Sequence, residues 1–378
     1  MTGTATAPGA ACPTTGTWLD FGLLARLLDA ADETETPRAL LRRARARSLT
    51  LPPLLLSALA ARHEPLGSGS GDELRRARRR AAVYADISGW AAELGVRTLK
   101  GPSLARRYPE PLQRPVGDLD LVAPGEGVLW EVVRRLYARY PVDAVQLSVL
   151  RADDERQLLV GLYWPDEDPL LDRSLNVEIT TFALAGDGAA VPSRVAVPAD
   201  QGLADLLALA DERFQREFGI KDWLDAALVL TAPSPPDPAA LVRWAREYRI
   251  APELLELVTQ TGERTGLAPL LPGAALRGLR DTARRERERR ARRTAGPRRP
   301  ATGVDGRYRA GLPVYGFALE EIRPREGGGR TAEWRTHAGA PVLRTPIGHF
   351  LLVGGASVAP EQYAAARAAI TTTEESGR

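Results

Sequence analysis

Two acidic residues in one short stretch have the types and spacing for divalent-metal chemistry. Asp118 and Asp120 alternate with leucines in Asp-Leu-Asp-Leu-Val122, a run typical of a β-strand. Alternate side chains of a strand share a face, so both carboxylates point the same way and lie about 7 Å apart. They repel each other unless a cation lies between them, and carboxylate oxygens favour Mg²⁺ or Mn²⁺. The alternative is an exposed strand with two solvated acids.

The two lysines of the chain are the next informative residues. The sequence has 51 basic residues, of which only Lys100 and Lys221 are lysine. A compact ammonium group serves different purposes from a planar guanidinium. Gly101, directly after Lys100, would let the backbone approach phosphate oxygens. Lys221 shares its helix with Asp222 and Asp225, so it either caps a nucleotide pocket or forms a surface pair with the acid four residues on.

Several other kinds of site are absent from the sequence. The single cysteine, Cys12, rules out an internal disulfide and a cysteine-ligated zinc site. The three histidines, at 63, 337 and 349, share no metal-ligand spacing. No phosphate-loop motif is present, and no Gly-x-Gly-x-x-Gly follows a strand. No apolar run is long enough for a membrane span and no signal peptide is recognisable, so we expect a cytoplasmic protein.

Hydrophobic periodicity predicts the elements that position these residues. Helical spacing recurs in three blocks before residue 62, and a helix capped by Asp72 is expected after a Gly-Ser linker. Short β-prone runs alternate with helices up to residue 182, and helical periodicity returns from 201 to 293. The predicted class is α+β, with a small mixed β-sheet core flanked by N-terminal and C-terminal helical regions and followed by a β-rich C-terminal appendix.

The same patterns predict five segments along the chain. They are a disordered leader (1–16), a helical layer with linker (17–71), the α/β core (72–200), a helical domain (201–295) and the appendix with its tail (296–378). The last helix of the helical domain is rich in arginine from 277 to 299. Because glutamates at 286 and 288 interrupt the arginines, it is either a solvated helix or a surface that contacts RNA phosphates.

The region around the aspartates resembles a known family. Leu99-Lys-Gly101, Tyr108 and Arg114-Pro-x-x-Asp-x-Asp120 are similar to the motifs of an uncharacterised bacterial nucleotidyltransferase family. That family is a branch of the DNA polymerase β-type nucleotidyltransferase superfamily and is similar to abortive-infection toxin nucleotidyltransferases. The resemblance covers roughly residues 90 to 230 and implies a nucleotidyltransferase core.

The resemblance also implies roles for individual residues. Glu178 lies where the superfamily supplies a third metal-binding carboxylate, unless it is an outward-facing strand acid. Ser103 matches the serine of the triphosphate-binding turn, although a proline precedes it here. Lys100 and Arg114 are the cations best placed to assist with phosphate. Arg114 either binds a phosphate group bidentately or forms a structural ion pair with one of the two aspartates.

The residues and the resemblance together predict a Mg²⁺-dependent, or Mn²⁺-dependent, nucleotidyltransferase. It would transfer a nucleoside monophosphate from an NTP, by default ATP, to a hydroxyl of an RNA end, a protein or a small molecule. A toxin of the abortive-infection kind would differ only in its acceptor. The alternative is a catalytically silent binding or regulatory module, acting on RNA through the arginine-rich helix. The expected site comprises Asp118, Asp120 and Glu178 as catalytic and metal-binding residues, with Lys100, Gly101, Ser103, Arg114 and Lys221 for the nucleotide.

Overall fold

The computed structural model describes residues 18–29, 35–294, 301–325, 329–337 and 339–376. The leader predicted over residues 1–16 lies outside these ranges. The described residues form 13 α-helices and one mixed, open sheet of nine strands, so the α+β class is confirmed.

Four helices come first in the described chain: α1 (Phe21–Leu27), α2 (Pro37–Arg47), α3 (Pro52–Ala61) and α4 (Ser68–Ala92). The first three coincide with the predicted blocks. The Gly-Ser linker was predicted wrongly, because it forms the first turn of α4 with Gly67 at the N-cap. Asp72 lies inside the helix and pairs with Arg76. Extension of a long, packed helix outweighs the weak helix propensity of these glycines.

One sheet organises the rest of the molecule. Its strands are β1 (Arg97–Leu99), β2 (Leu119–Val122), β3 (Ala144–Ala152), β4 (Glu155–Trp164), β5 (Leu175–Thr180), β6 (Val314–Ala318), β7 (Glu333–His337), β8 (Ala340–Thr345) and β9 (Gly348–Val353). They are ordered β1-β2-β5-β4-β3-β6-β9-β8-β7. Only the pairing of β2 with β5 is parallel within this sheet.

The C-terminal segment is β-rich, as predicted, but it is not a separate appendix. Strand β6 pairs with β3 in an antiparallel register that sets Val314 opposite Val149. The remaining three strands then continue the same sheet outwards. The pairing joins residues more than 160 positions apart, and local periodicity carries no information about such a contact.

The two faces of the sheet differ in chemistry. One face carries Leu121 and Val160 and packs against Ile87 of α4 and Trp130 of α6 (Glu126–Arg139), forming the main core. The opposite face carries Asp120 and, on the neighbouring strand, Glu178, and we call it the carboxylate face. A sheet that buries one face needs polar groups only on the other, which is where a binding site can form.

Nine further helical elements complete the described chain: α5 (Gly101–Ala105), α7 (Gln201–Asp211), a 3₁₀ turn (Glu212–Phe214), α8 (Ile220–Leu230), α9 (Pro238–Tyr248), α10 (Ala251–Thr265), α11 (Gly273–Thr294), α12 (Gly303–Arg309) and α13 (Pro360–Ser376). Leu99 and Val122 pack with α7 to α11 in a second core. None of the helices in the described ranges has the length and apolarity to span a membrane.

Substitution of Gly316 tests the packing where β6 pairs with β3 and the two halves of the sheet meet. A Cβ on this residue would lie 2.7 Å from Leu147 Cδ2 and 3.1 Å from Phe350 Cβ. We therefore expect Gly316→Ala to lower the free energy of unfolding by roughly 1–3 kcal/mol through overpacking, measured by urea denaturation. Gly355→Ala is the matched control, because its Cβ would meet nothing within 4 Å. Equal stability of the two variants would contradict this packing.

Candidate active site

Three of the predicted site residues come together at the junction of β2 and β5. The parallel register pairs Asp120 with Glu178, so the two carboxylates lie side by side on the carboxylate face. Asp118 directly precedes β2 and is solvent-exposed, whereas Asp120 and Glu178 are half-buried. Glu178 is therefore a neighbour of the aspartate pair rather than an isolated strand acid. The flanking Leu119 and Val177 point into the main core and fix this orientation.

Tyr84 fixes the approach of the chain to Asp118. Its ring is fully buried in α4. Its hydroxyl donates to the Gly117 carbonyl oxygen at 3.2 Å and accepts the Asn176 backbone N–H at 2.9 Å. Burial raises the pKa of Tyr84 to about 12, so this hydroxyl stays protonated. One phenol thus joins the residue before Asp118 to the strand that carries Glu178.

Lys100 lies among the carboxylates. Its ammonium nitrogen is 3.0 Å from Asp120 Oδ2 and also contacts Glu212. Burial alone would lower the pKa of Lys100, but the carboxylates of Asp120 and Glu212 raise it well above the usual value. Lys100 is therefore a permanent cation here. It partly offsets the repulsion among the acids around it.

The turn that presents Lys100 is held by Asp205. Lys100 has a positive φ of 57°, a conformation that costs most residues about 1–3 kcal/mol. Asp205, fully buried in α7, accepts the Lys100 backbone N–H at 2.8 Å and the Ser103 hydroxyl at 2.8 Å. Gly101 follows with φ of 46°, which suits glycine. The Ser103 hydroxyl is thus hydrogen-bonded within this turn, whereas the resemblance predicts that it contacts a triphosphate.

Several charged groups surround Asp118. Asp120, Lys100, Lys221 and Glu212 act on its carboxyl group, and Arg216 interacts with both Asp118 and Glu212. Desolvation by the surrounding protein, which acts on Asp118 although this residue keeps some solvent exposure, raises the pKa of both Asp118 and Glu178, and repulsion from Asp120 raises it further. The cluster therefore favours any added positive charge.

The donor set fits a hard divalent cation in its chemistry. Asp118, Asp120 and Glu178 offer carboxylate oxygens, the ligands that Mg²⁺ and Mn²⁺ prefer. As the side chains stand, no group of three or more His, Cys, Asp or Glu residues in the described ranges is arranged to hold a metal. The Lys100 ammonium, 3.0 Å from Asp120 Oδ2, already provides one positive charge next to these carboxylates.

Lys221 joins the carboxylates to a cleft between α8 and the N-terminal helices. The predicted pair with Asp225 does not form, and no acid of the described chain lies within ion-pair distance of Lys221. Its charge instead offsets part of the rise in the pKa of Asp118. The cleft has a volume of about 530 Å³ and is also lined by Arg216 and Trp223. This volume lies within the range of small-molecule sites.

Arg114 does not belong to the site, contrary to the prediction. Its guanidinium is buried and binds Asp225 bidentately, with Nε–Oδ1 and Nη2–Oδ2 distances of 2.8 and 2.7 Å. The Tyr108 hydroxyl donates to the same carboxylate at 2.9 Å. The structural ion pair weighed as the alternative does form, but with an acid of α8 instead of Asp118 or Asp120. A guanidinium that already binds a carboxylate through Nε and Nη2 cannot use the same two nitrogens to bind a phosphate.

The arginine-rich helix is α11, and its predicted extension to 299 lies partly outside the described residues. Glu286 is buried and binds both Arg289 and Arg290, and Arg290 also binds Glu253 of α10. These arginines attach the helix to its neighbour. Arg284 and Arg287 are exposed. Part of the helix is therefore structural, and only its outer side remains as a surface that could contact RNA.

Sequence reasoning missed four residues that complete the site. Glu212 binds Lys100, Asp205 holds the turn, and Arg216 binds Asp222 bidentately at the edge of the cleft. The fourth, Asn176, lies two residues before Glu178, so strand alternation could have placed it on the carboxylate face. Glu212 and Asp205 gave no such signal, because their contacts with Lys100 span more than 100 positions.

Comparison with known proteins gives no functional assignment for this site. The chain matches no protein-family model, and no curated protein or solved structure is significantly similar to it.

The Arg114 pair gives a direct test of its structural role. Arg114→Met leaves the Asp225 carboxylate buried without its cation, and we expect a loss of roughly 3–5 kcal/mol in the free energy of unfolding, measured by urea denaturation. The double variant with Asp225→Leu should recover most of that loss. The exposed pair of Arg151 with Asp154 is the control, where Arg151→Met should cost under about 1 kcal/mol. A similar cost for both single variants would contradict the assignment.

Proposed function

We propose that this protein is a Mg²⁺-dependent nucleotidyltransferase that transfers a nucleoside monophosphate from an NTP to a hydroxyl of an acceptor. The observation that carries the proposal is the side-by-side placement of Asp120 and Glu178 on parallel strands, with Asp118 beside them and the pKa of both Asp118 and Glu178 raised. Lys100 and Lys221 are the cations at the same place. The motif resemblance between Leu99 and Val122 points to the same chemistry.

Each residue has a defined part in the proposed reaction. Asp118, Asp120 and Glu178 would hold the metal, which when bound supplies Lewis-acid polarisation of phosphate and charge neutralisation. Lys221 faces the 530 Å³ cleft and would bind the phosphates of the NTP there. Glu178 has a raised pKa, which brings it closer to the neutral range in which a carboxylate accepts a proton efficiently from a hydroxyl. ATP remains the default nucleotide.

One observation favours the alternative of a catalytically silent binding module. The Lys100 ammonium already binds Asp120, so a lysine could serve permanently as the counter-ion that a metal provides in an enzyme. RNA binding through the exposed side of α11 belongs to this second hypothesis. The two hypotheses differ in whether the aspartates are required for activity.

Double substitution of the aspartates tests the enzyme directly. With α-labelled ATP, Mg²⁺ and candidate hydroxyl acceptors, Asp118→Asn with Asp120→Asn should lower the rate of label transfer roughly 100- to 1,000-fold, because a catalytic metal supplies several kcal/mol. Glu93→Gln, an exposed acid at the end of α4, is the matched control and should keep the wild-type rate. Wild-type protein that is folded but neither binds ATP nor transfers label would overturn the proposal.

A further inference from the structure

The carboxylate face of the central strands is open to solvent at one end. Strands β5, β4 and β3 hold the third to fifth places among nine. Helices α7 to α11 cover this face on one side of them, and α13 covers it on the other. Leu150, Ala152 and Leu159 on this face also pack in a small apolar cluster, whereas Gln146, nearer the other end, is exposed. An antiparallel sheet can leave one face to water, so this end is available to a ligand.

The opening is lined by uncharged hydrogen-bonding groups that begin at Glu178. We call it the trough and define it by Asn176, Tyr163, Gly161 and Gln146. The Asn176 amide nitrogen donates to Glu178 Oε1 at 3.5 Å, and the Tyr163 hydroxyl donates to Gln146 Oε1 at 3.0 Å. Asn176 Oδ1 is buried and accepts no hydrogen bond from the described part of the protein. The amide and phenol groups of the trough both donate and accept hydrogen bonds.

Gly161 shapes the floor of the trough. It is aligned with Glu178 on one side and Gln146 on the other. A Cβ on Gly161 would lie 3.3 Å from the Tyr163 ring and 3.4 Å from its hydroxyl oxygen. The ring therefore lies over the glycine, between the carboxylates and Gln146. A flat aromatic surface flanked by two amide side chains suits a ring with several hydroxyl groups.

The trough has no cation for a polyanion. The residues of β3, β4 and β5 that face this way include no lysine and no arginine: Ala144, Gln146, Ser148, Leu150, Ala152, Glu155, Gln157, Leu159, Gly161, Tyr163, Asn176, Glu178 and Thr180. A nucleic acid would place phosphates here, and phosphates require basic partners. Amide and phenol groups instead exchange hydrogen bonds with neutral hydroxyls.

We propose that the trough is the acceptor subsite and that the acceptor is a neutral, polyhydroxylated molecule of the carbohydrate class. This inference rests on the proposed nucleotidyl transfer. The acceptor oxygen forms a bond to the α-phosphorus of the NTP, and the bond from that phosphorus to the bridging oxygen breaks. Pyrophosphate leaves with the electron pair, and the hydroxyl proton passes to Glu178. The trough holds the rest of the acceptor beside that carboxylate.

The test combines a binding readout with a transfer readout on the full chain. Saturation-transfer NMR with methyl α-glucoside, myo-inositol and sorbitol reports binding without turnover. Transfer of label from ATP is measured to the same three compounds and to an oligoribonucleotide with a free 3′-hydroxyl. ATP affinity is measured in parallel, so that the nucleotide side is followed separately.

We expect wild-type protein to bind and label at least one of the three compounds and not the oligoribonucleotide. Gln146→Leu and Tyr163→Phe should each weaken that binding and raise the KM for that compound about 10-fold through a lost hydrogen bond, with ATP affinity within about two-fold. Gln362→Leu, on the exposed side of α13, is the matched control and should change neither quantity.

Three results would overturn the inference. The first is labelling of the oligoribonucleotide alone, and the second is intact ATP binding without binding of any of the three compounds. The third is equal behaviour of Gln146→Leu and Gln362→Leu. Failure of the proposed function is distinguishable, because the wild-type protein would then bind no ATP while the NMR readout still reports whether the trough binds polyols.

Discussion

The parallel, in-register pairing of β2 with β5 is the constraint on which the rest of the site depends, because it sets Asp120 directly beside Glu178. Two carboxylates in that position repel each other, and Asp118 adds a third. The surrounding elements partly offset this repulsion. Lys100 binds Asp120, while Tyr84 fixes the backbone on both sides of the cluster through one hydroxyl. Desolvation and the remaining repulsion still raise the pKa of Asp118 and Glu178, which is the property expected of a site that binds a cation.

Rigid support makes this unfavourable arrangement possible. The opposite face of the same strands is buried in the main core, so the carboxylates cannot rotate away without exposing leucine, valine and isoleucine side chains. Asp205 holds the strained Lys100 turn from a fully buried position, where burial raises its pKa to about 6. The helical region after β5 thus acts on the site through the buried Asp205, through Glu212 and through Lys221 of α8. The trough lies where the helical cover ends.

Local periodicity predicted the parts of the fold and site that depend on neighbouring residues. The alternation around Asp120 predicted a strand with its acids on one face, and the helices before and after the core were placed closely. Contacts between distant segments could not be predicted this way. Arg114 looked like a phosphate ligand because its motif carries no sign of Asp225, which is 111 residues away. The C-terminal strands looked separate because their pairing with β3 is equally remote. Glu212 and Asp205 were missed for the same reason.

Calorimetric titration of Mg²⁺ in two buffers of different ionisation enthalpy tests most directly whether this cluster is a metal site. The raised pKa of Asp118 and Glu178 means that the metal-free protein retains protons on them above the usual carboxyl range. Mg²⁺ binding should therefore release protons at mildly acidic pH and progressively fewer as the pH rises. Glu178→Gln should reduce the number released. Absence of Mg²⁺ binding, or binding that releases no protons at mildly acidic pH, would contradict the assignment.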